Sequence, residues 1–193
     1  MLPLVTSAYG HNRNSNGHKT TPPPPPVATS TPSGEIRFEA YNTLYASYDN
    51  TPKGSTETDL GGHTGTAGGT GTYADPVTLA VGGSIINGKE IDDYAYGTKF
   101  YIPAFRKYFI ATDFCGDGNA PQNEPCHKSE EPGKPQLDLY AGTTNNSAVL
   151  ACEDADTGDH LMIENPASNY AVVAGSIYNG TCETPLGDTV VTQ

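Results

Sequence analysis

Asp49 ends the run LYASYDN, Asp113 lies near the end of KYFIATDFCG, and Asp138 sits inside QLDLYAG; all three are carboxylates carried on apolar, strand-like segments. Carboxyl groups held in pairs do acid and base work: one keeps a proton for a leaving oxygen while the other activates water. Asp49 also has a plainer role open to it. It precedes Pro52 and Gly54 in DNTPKG, and an aspartate at the head of such a segment initiates a turn by bonding nearby backbone amides. Which role it has depends on whether the fold brings a second carboxylate to face it.

The elements that must do this positioning are strands. From Gly34 onward the chain is a series of short runs rich in Tyr, Val, Ile, Thr and Phe, separated by Gly, Pro, Asn and Asp, which is the texture of an all-β domain. Strands are expected at 36–49 (bent or broken), 76–81, 99–103, 107–114, 137–142, 148–154, 160–165 and 170–178. No segment of ten or more residues shows a helical period, so helices should be short or absent. Many short, evenly spaced strands close into a barrel or stack as a sandwich. Alternation puts Leu137 and Leu139 on one face and Asp138 and Tyr140 on the other, so leucines filling a barrel would turn Asp138 outward. The same alternation groups Phe109, Ala111 and Asp113 on one face of 107–114, and Tyr108, Ile110 and Thr112 on the other.

Composition narrows the function classes. The chain has 193 residues, 10 basic against 22 acidic, and a net charge of -12. Nucleic acid and anionic membrane surfaces are poor partners for it. No apolar run approaches the ~20 residues of a membrane span. Four cysteines without a Cys-x-x-Cys pair read as two disulfides. Three connectivities are possible, and neighbourhood favours Cys115 with Cys126 and Cys152 with Cys182. The sequons Asn145-Asn-Ser147 and Asn179-Gly-Thr181 fit an extracellular, secreted life. The opening MLPLVTSAYG lacks a basic n-region, so secretion would require a leader already removed or lying upstream. Residues 1–34, with five consecutive prolines, read as a linker. A linker there implies a module before it, and 35–193 is expected to be the folded domain. The glycine-rich stretch GGHTGTAGGTGTYADP lacks the phosphate-loop lysine and reads as a loop beside a cleft. EIDD, at 90–93, lacks calcium-loop spacing and reads as a solvated turn. The five histidines show no metal-ligand spacing, so neither metal nor cofactor is expected.

The order YADP with Asp75, GTKFYIP followed by KYFIATDFCGDG with Asp113, and QLDLYAG with Asp138 resembles the three-aspartate domain, a six-stranded double-psi β-barrel. That barrel is shared by lytic transglycosylases of the MltA type, rare-lipoprotein A proteins, expansins and endoglucanases of glycoside hydrolase family 45. The tail ACEDADTGDHLMIENPASNYAV and the disulfide loop CGDGNAPQNEPC are similar to fungal secreted proteins with this barrel, among them the muramidases of glycoside hydrolase family 184. The resemblance implies a barrel with an extra hairpin and disulfide-closed loops, in which Asp138 is the catalytic acid and Asp49 matches the base of the endoglucanases. Asp113 would position substrate or raise the pKa of Asp138 by like charge, unless it caps the loop before Cys115. Tyr45, Tyr48 and Tyr140 would contact or stack on sugar, unless they are half-buried strand residues. A separation of about 6.5 to 9.5 Å between the two carboxyls would imply inversion. The expected activity is hydrolysis of β-1,4 linkages in peptidoglycan by a secreted monomer, as in a lysozyme. A family 45-like endoglucanase, single-acid lytic transglycosylation and a non-catalytic expansin-like binder are the alternatives.

Overall fold

A computed structural model describes residues 34–116, 120–128 and 133–193; the linker expected at 1–34 lies outside the described residues except for Gly34. Among the described residues there are ten strands: β1 (Ile36–Ala46), β2 (Glu57–Leu60), β3 (His63–Thr66), β4 (Val77–Val81), β5 (Gly83–Ile86), β6 (Lys89–Asp92), β7 (Lys99–Ile102), β8 (Lys107–Phe114), β9 (Gln136–Gly142) and β10 (Gly158–Glu164). Two helices, α1 (Pro125–Lys128) and α2 (Ala148–Asp156), complete the set with one 3-10 turn.

Six strands close into a barrel in the order β1-β10-β7-β8-β4-β9. Two neighbouring pairs are parallel, β1 with β9 and β4 with β8, and the other four are antiparallel. Exchanging β1 with β8, β4 with β9 and β7 with β10 reproduces every pairing and its direction. The first three barrel strands therefore repeat as the last three about a two-fold axis between β4 and β9, the internal symmetry of the double-psi arrangement. Leu44, Leu79, Phe109, Leu137, Leu139 and Met162 belong to the buried core, as the alternation of leucines in β9 requires. Hairpins β2–β3 and β5–β6 stand outside the barrel. They absorb parts of the two stretches read as loop and turn, because pairs of four-residue strands carry no clear period.

Two expected strands are absent. Residues 148–154 form most of helix α2, whose buried residues Val149, Cys152, Glu153 and Asp156 recur at helical spacing. Two of those four are acidic, which hid the period. Residues 170–178 make only isolated bridges at Tyr170 and Tyr178. Scattered single bonds hold this backbone instead: the amides of Ala171, Val173, Gly175 and Tyr178 donate to the carbonyls of Val191, Arg106, Thr70 and Ala141, and Tyr101 Oη and Lys107 Nζ donate to the carbonyls of Ala171 and Val173 at 2.6 Å. Both disulfides join the cysteines that neighbourhood favours, Cys115 with Cys126 and Cys152 with Cys182. At Gly82, after β4, a Cβ would lie 2.5 Å from the backbone of Cys126 and His127. Only glycine lets the disulfide-closed segment sit this close to the sheet.

Candidate active site

The parallel and antiparallel registers put Thr43, Asp138, Ala80 and Asp113 in one row across β1, β9, β4 and β8. Strict alternation would have sent Asp113 to the face of Phe109 and Ala111. A bulge prevents this: Leu79 pairs with Ala111 and Ala80 with Asp113, leaving Thr112 over. The extra residue inverts the alternation and turns Asp113 to the face of Asp138. The row floors a polar cavity of about 520 Å³ whose walls include Tyr45, Asp49, Ser55, Gln136 and Glu124. A second cavity of about 720 Å³ shares Glu57, Asp113, Phe114 and Gly116 with it and continues along hairpin β2–β3. Together they form one groove with Asp113 at the waist.

Asp138 accepts a hydrogen bond from Thr43 Oγ1 at 2.8 Å. Burial pushes its carboxyl up to about 7; the charges of Asp49 and Asp113 push the same way, against the Thr43 bond. Among the described residues no Lys, Arg or His lines this cavity, whereas five carboxylates do. Asp138 therefore retains a proton near neutrality, because the protein offers its anion one hydroxyl and no cation.

Asp49 answers both readings of its turn. Its Oδ1 accepts the Ala46 amide at 2.9 Å, so it does tie the turn, to an amide three residues back. It is also exposed on the wall of the Asp138 cavity. Asp113 is the most firmly held of the three. Its Oδ2 accepts from Tyr45 Oη at 2.7 Å, and its Oδ1 accepts from the backbone amides of Phe114 at 3.0 Å and Asp59 at 3.2 Å. Burial raises its pKa and these bonds oppose the rise. A carboxylate bound by three donors suits a fixed charge better than a proton carrier. It also fastens β2 to β8 and caps the chain before Cys115.

The tyrosines do not provide exposed sugar platforms. Tyr45 and Tyr140 are buried, 8% and 2% exposed, with ring centroids 5.2 Å apart edge to face. Tyr45 lines the cavity with its hydroxyl bound to Asp113; burial, then the Asp113 charge, raises its pKa well above the usual phenol value, so it stays a donor. The hydroxyl of Tyr140 pairs with Thr143 Oγ1 at 2.8 Å. Tyr48 is half-buried, packed against the core with Lys53 Nζ 3.5 Å above its ring. Asp75, the first aspartate of the motif, accepts the Thr70 amide in its own turn and is absent from the cavity wall.

Sequence reading missed Glu153. On α2 it is 6% exposed, and its carboxyl is pushed up to about 8 by burial, then by the charges of Asp49 and Asp138, and by a hydrogen bond with Asp49. Its signal was the spacing 149, 152, 153, 156, legible only when acidic residues are allowed on a buried face. Among the described residues the single cluster with metal-like spacing is Cys152, Asp156 and Cys182. Both of its sulfurs are spent in the disulfide, so it offers one free donor.

The chain is similar to a protein of Dictyostelium discoideum, the uncharacterized protein DDB_G0273701/DDB_G0273221, with 35% identity over 142 residues, 72% of this chain and 56% of that protein. The chain thus spans little more than half the length of that relative. No solved structure matches it. The family model described as the DDB_G0273701 N-terminal domain matches residues 37–183, a span that runs from β1 past β10 and contains Asp49, Asp113, Asp138 and Glu153. The protein therefore belongs to the DDB_G0273701 N-terminal domain family.

Proposed function

We propose that the chain is a secreted glycoside hydrolase that cleaves β-1,4 linkages of a structural polysaccharide, peptidoglycan first, with Asp138 as the proton donor and Asp49 as the base. The observation that carries this reading is a carboxyl raised to about 7 on the floor of an open polar groove, with Asp49 on the wall of the same cavity. An acid that keeps its proton near neutrality can protonate a glycosidic oxygen as it leaves, and a carboxylate across the sugar can take a proton from water. Asp113 stands in the same row, and its charge helps Asp138 keep its proton. Two cavities in line suit a polymer better than a single sugar. A single-acid variant of the chemistry draws on one further observation, that Asp49 is engaged by the Ala46 amide; there a hydroxyl of the sugar itself would attack, and only Asp138 would be needed.

The test is reducing-end release from purified peptidoglycan, with carboxymethylcellulose in parallel, for the wild type, Asp138→Asn and Asp49→Asn. Loss in both variants on peptidoglycan supports the two-carboxyl muramidase. Loss in Asp138→Asn alone selects single-acid chemistry, and cleavage of the cellulose derivative alone selects the endoglucanase. A wild type that binds either polymer without cleaving it overturns the hydrolase and leaves an expansin-like binder.

A further inference from the structure

Glu153 is a buried acid to which the reading above gives no task. It lies on the inward face of α2, which packs against β1, and it is not part of the cavity wall. The charged groups acting on it are all acidic: Asp49 from the turn after β1, Asp138 from β9, and Asp154 beside it on the helix. Its Oε1 is buried without a hydrogen-bond partner. Two ionised carboxylates have only acceptors between them, so a hydrogen bond between Glu153 and Asp49 requires a shared proton. The Ala46 amide holds Asp49 from the turn.

We infer that Glu153 is a positioning residue for the base: its protonated carboxyl donates a hydrogen bond to the Asp49 carboxylate and holds it towards the cavity, and loss of that proton sets two adjacent carboxylates against each other and frees Asp49. The inference rests on the reading of Asp49 as base. Burial and the acidic neighbours keep the proton on Glu153 through neutral pH, up to about 8. The same arrangement explains why an acid occupies the buried face of a helix with no cation to meet it. The Cys152–Cys182 disulfide, one residue away, fixes that helix against the C-terminal segment.

The experiment is a carbon-detected NMR titration of the full chain labelled at the glutamate carboxyls, followed by turnover on peptidoglycan. One glutamate should titrate near 8, vanish in Glu153→Gln, and fall about tenfold or more in proton affinity in Asp49→Asn, where the neighbouring charge is gone. Glu153→Gln, whose amide still donates, should keep kcat within a few-fold of the wild type, by the ordinary strength of a neutral hydrogen bond. Glu153→Leu, which fills the site without a donor, should lower kcat about tenfold with KM unchanged. Glutamates that all titrate in the ordinary range, a midpoint indifferent to Asp49→Asn, or equal kcat in the Gln and Leu variants would each overturn the inference. Should Glu153→Leu fail to fold, the titration of the wild type and of Asp49→Asn still decides. A wild type that cleaves nothing overturns the hydrolase reading, whereas a failed titration with cleavage intact overturns this inference alone.

Discussion

Glu153 and Glu183 each follow one cysteine of the same disulfide, and the fold treats them in opposite ways. Glu183 Oε2 meets the ammonium of Lys107 at 2.7 Å, and that ammonium, fully buried, also donates to the Val173 carbonyl. Glu153 faces Asp49, Asp138 and Asp154. A buried charge with a partner holds elements together, and breaking the pair strands its other half. A buried acid among acids keeps its proton instead, which is a condition useful to chemistry and of no help to stability. The molecule thus separates a compensated region, where Lys107 clamps the C-terminal segment to the barrel, from an uncompensated one around the groove.

The comparison breaks first at Asp138. Asp138→Asn should lower polysaccharide cleavage about a thousandfold, within the range for loss of a general acid, while its melting temperature holds or rises because an uncompensated acid is gone. A variant that is both inactive and less stable would place Asp138 on the structural side. Next is Lys107→Met, which strands Glu183 and should destabilise the fold by about 3–5 kcal/mol in urea titration. The double variant Lys107→Met/Glu183→Gln should recover part of that loss, with turnover of the folded protein unchanged. The pH dependence of stability probes both uncompensated acids at once. Asp138 is raised from 3.8 to about 7 and Glu153 from 4.5 to about 8, so the folded state holds more protons than the unfolded one between about pH 4 and 8. Stability therefore falls as pH rises through that window. Melting curves should show the fall in the wild type, a shallower one in Glu153→Gln and the shallowest in Asp138→Asn/Glu153→Gln. Smallest is Tyr45→Phe, which removes one of the donors on Asp113; it should cost about 1–2 kcal/mol in thermal denaturation.

Much of this fold was legible because barrel strands carry an alternating apolar face. The segments at 76–81, 99–103, 107–114, 137–142 and 160–165 each became a barrel strand with ends shifted by two residues at most. Asp138 was legible for the same reason, standing between two leucines that had to face the core. Asp113 was found for its type and position but given the wrong face, since nothing in KYFIATDF announces which residue will be bulged out. Glu153 was missed because hydrophobic periodicity treats every acid as solvent-facing, and α2 buries two of them. The tyrosines were misjudged in degree: Tyr45 and Tyr140 are buried strand residues packed on each other, and of the three only Tyr45 lines the first cavity.

The two-fold relation between the halves of the barrel has a consequence for how the groove can change. On the row that floors it, the exchange of halves carries Asp138 onto Ala80 and Asp113 onto Thr43, and Asp138 and Ala80 stand directly opposite each other in neighbouring strands. The barrel therefore offers the position of its central acid twice and fills it once. Ala80 is a vacant copy of an address whose backbone, pleat and outlook already suit a reacting side chain, so new chemistry in this groove needs one substitution at a prepared place and no new architecture.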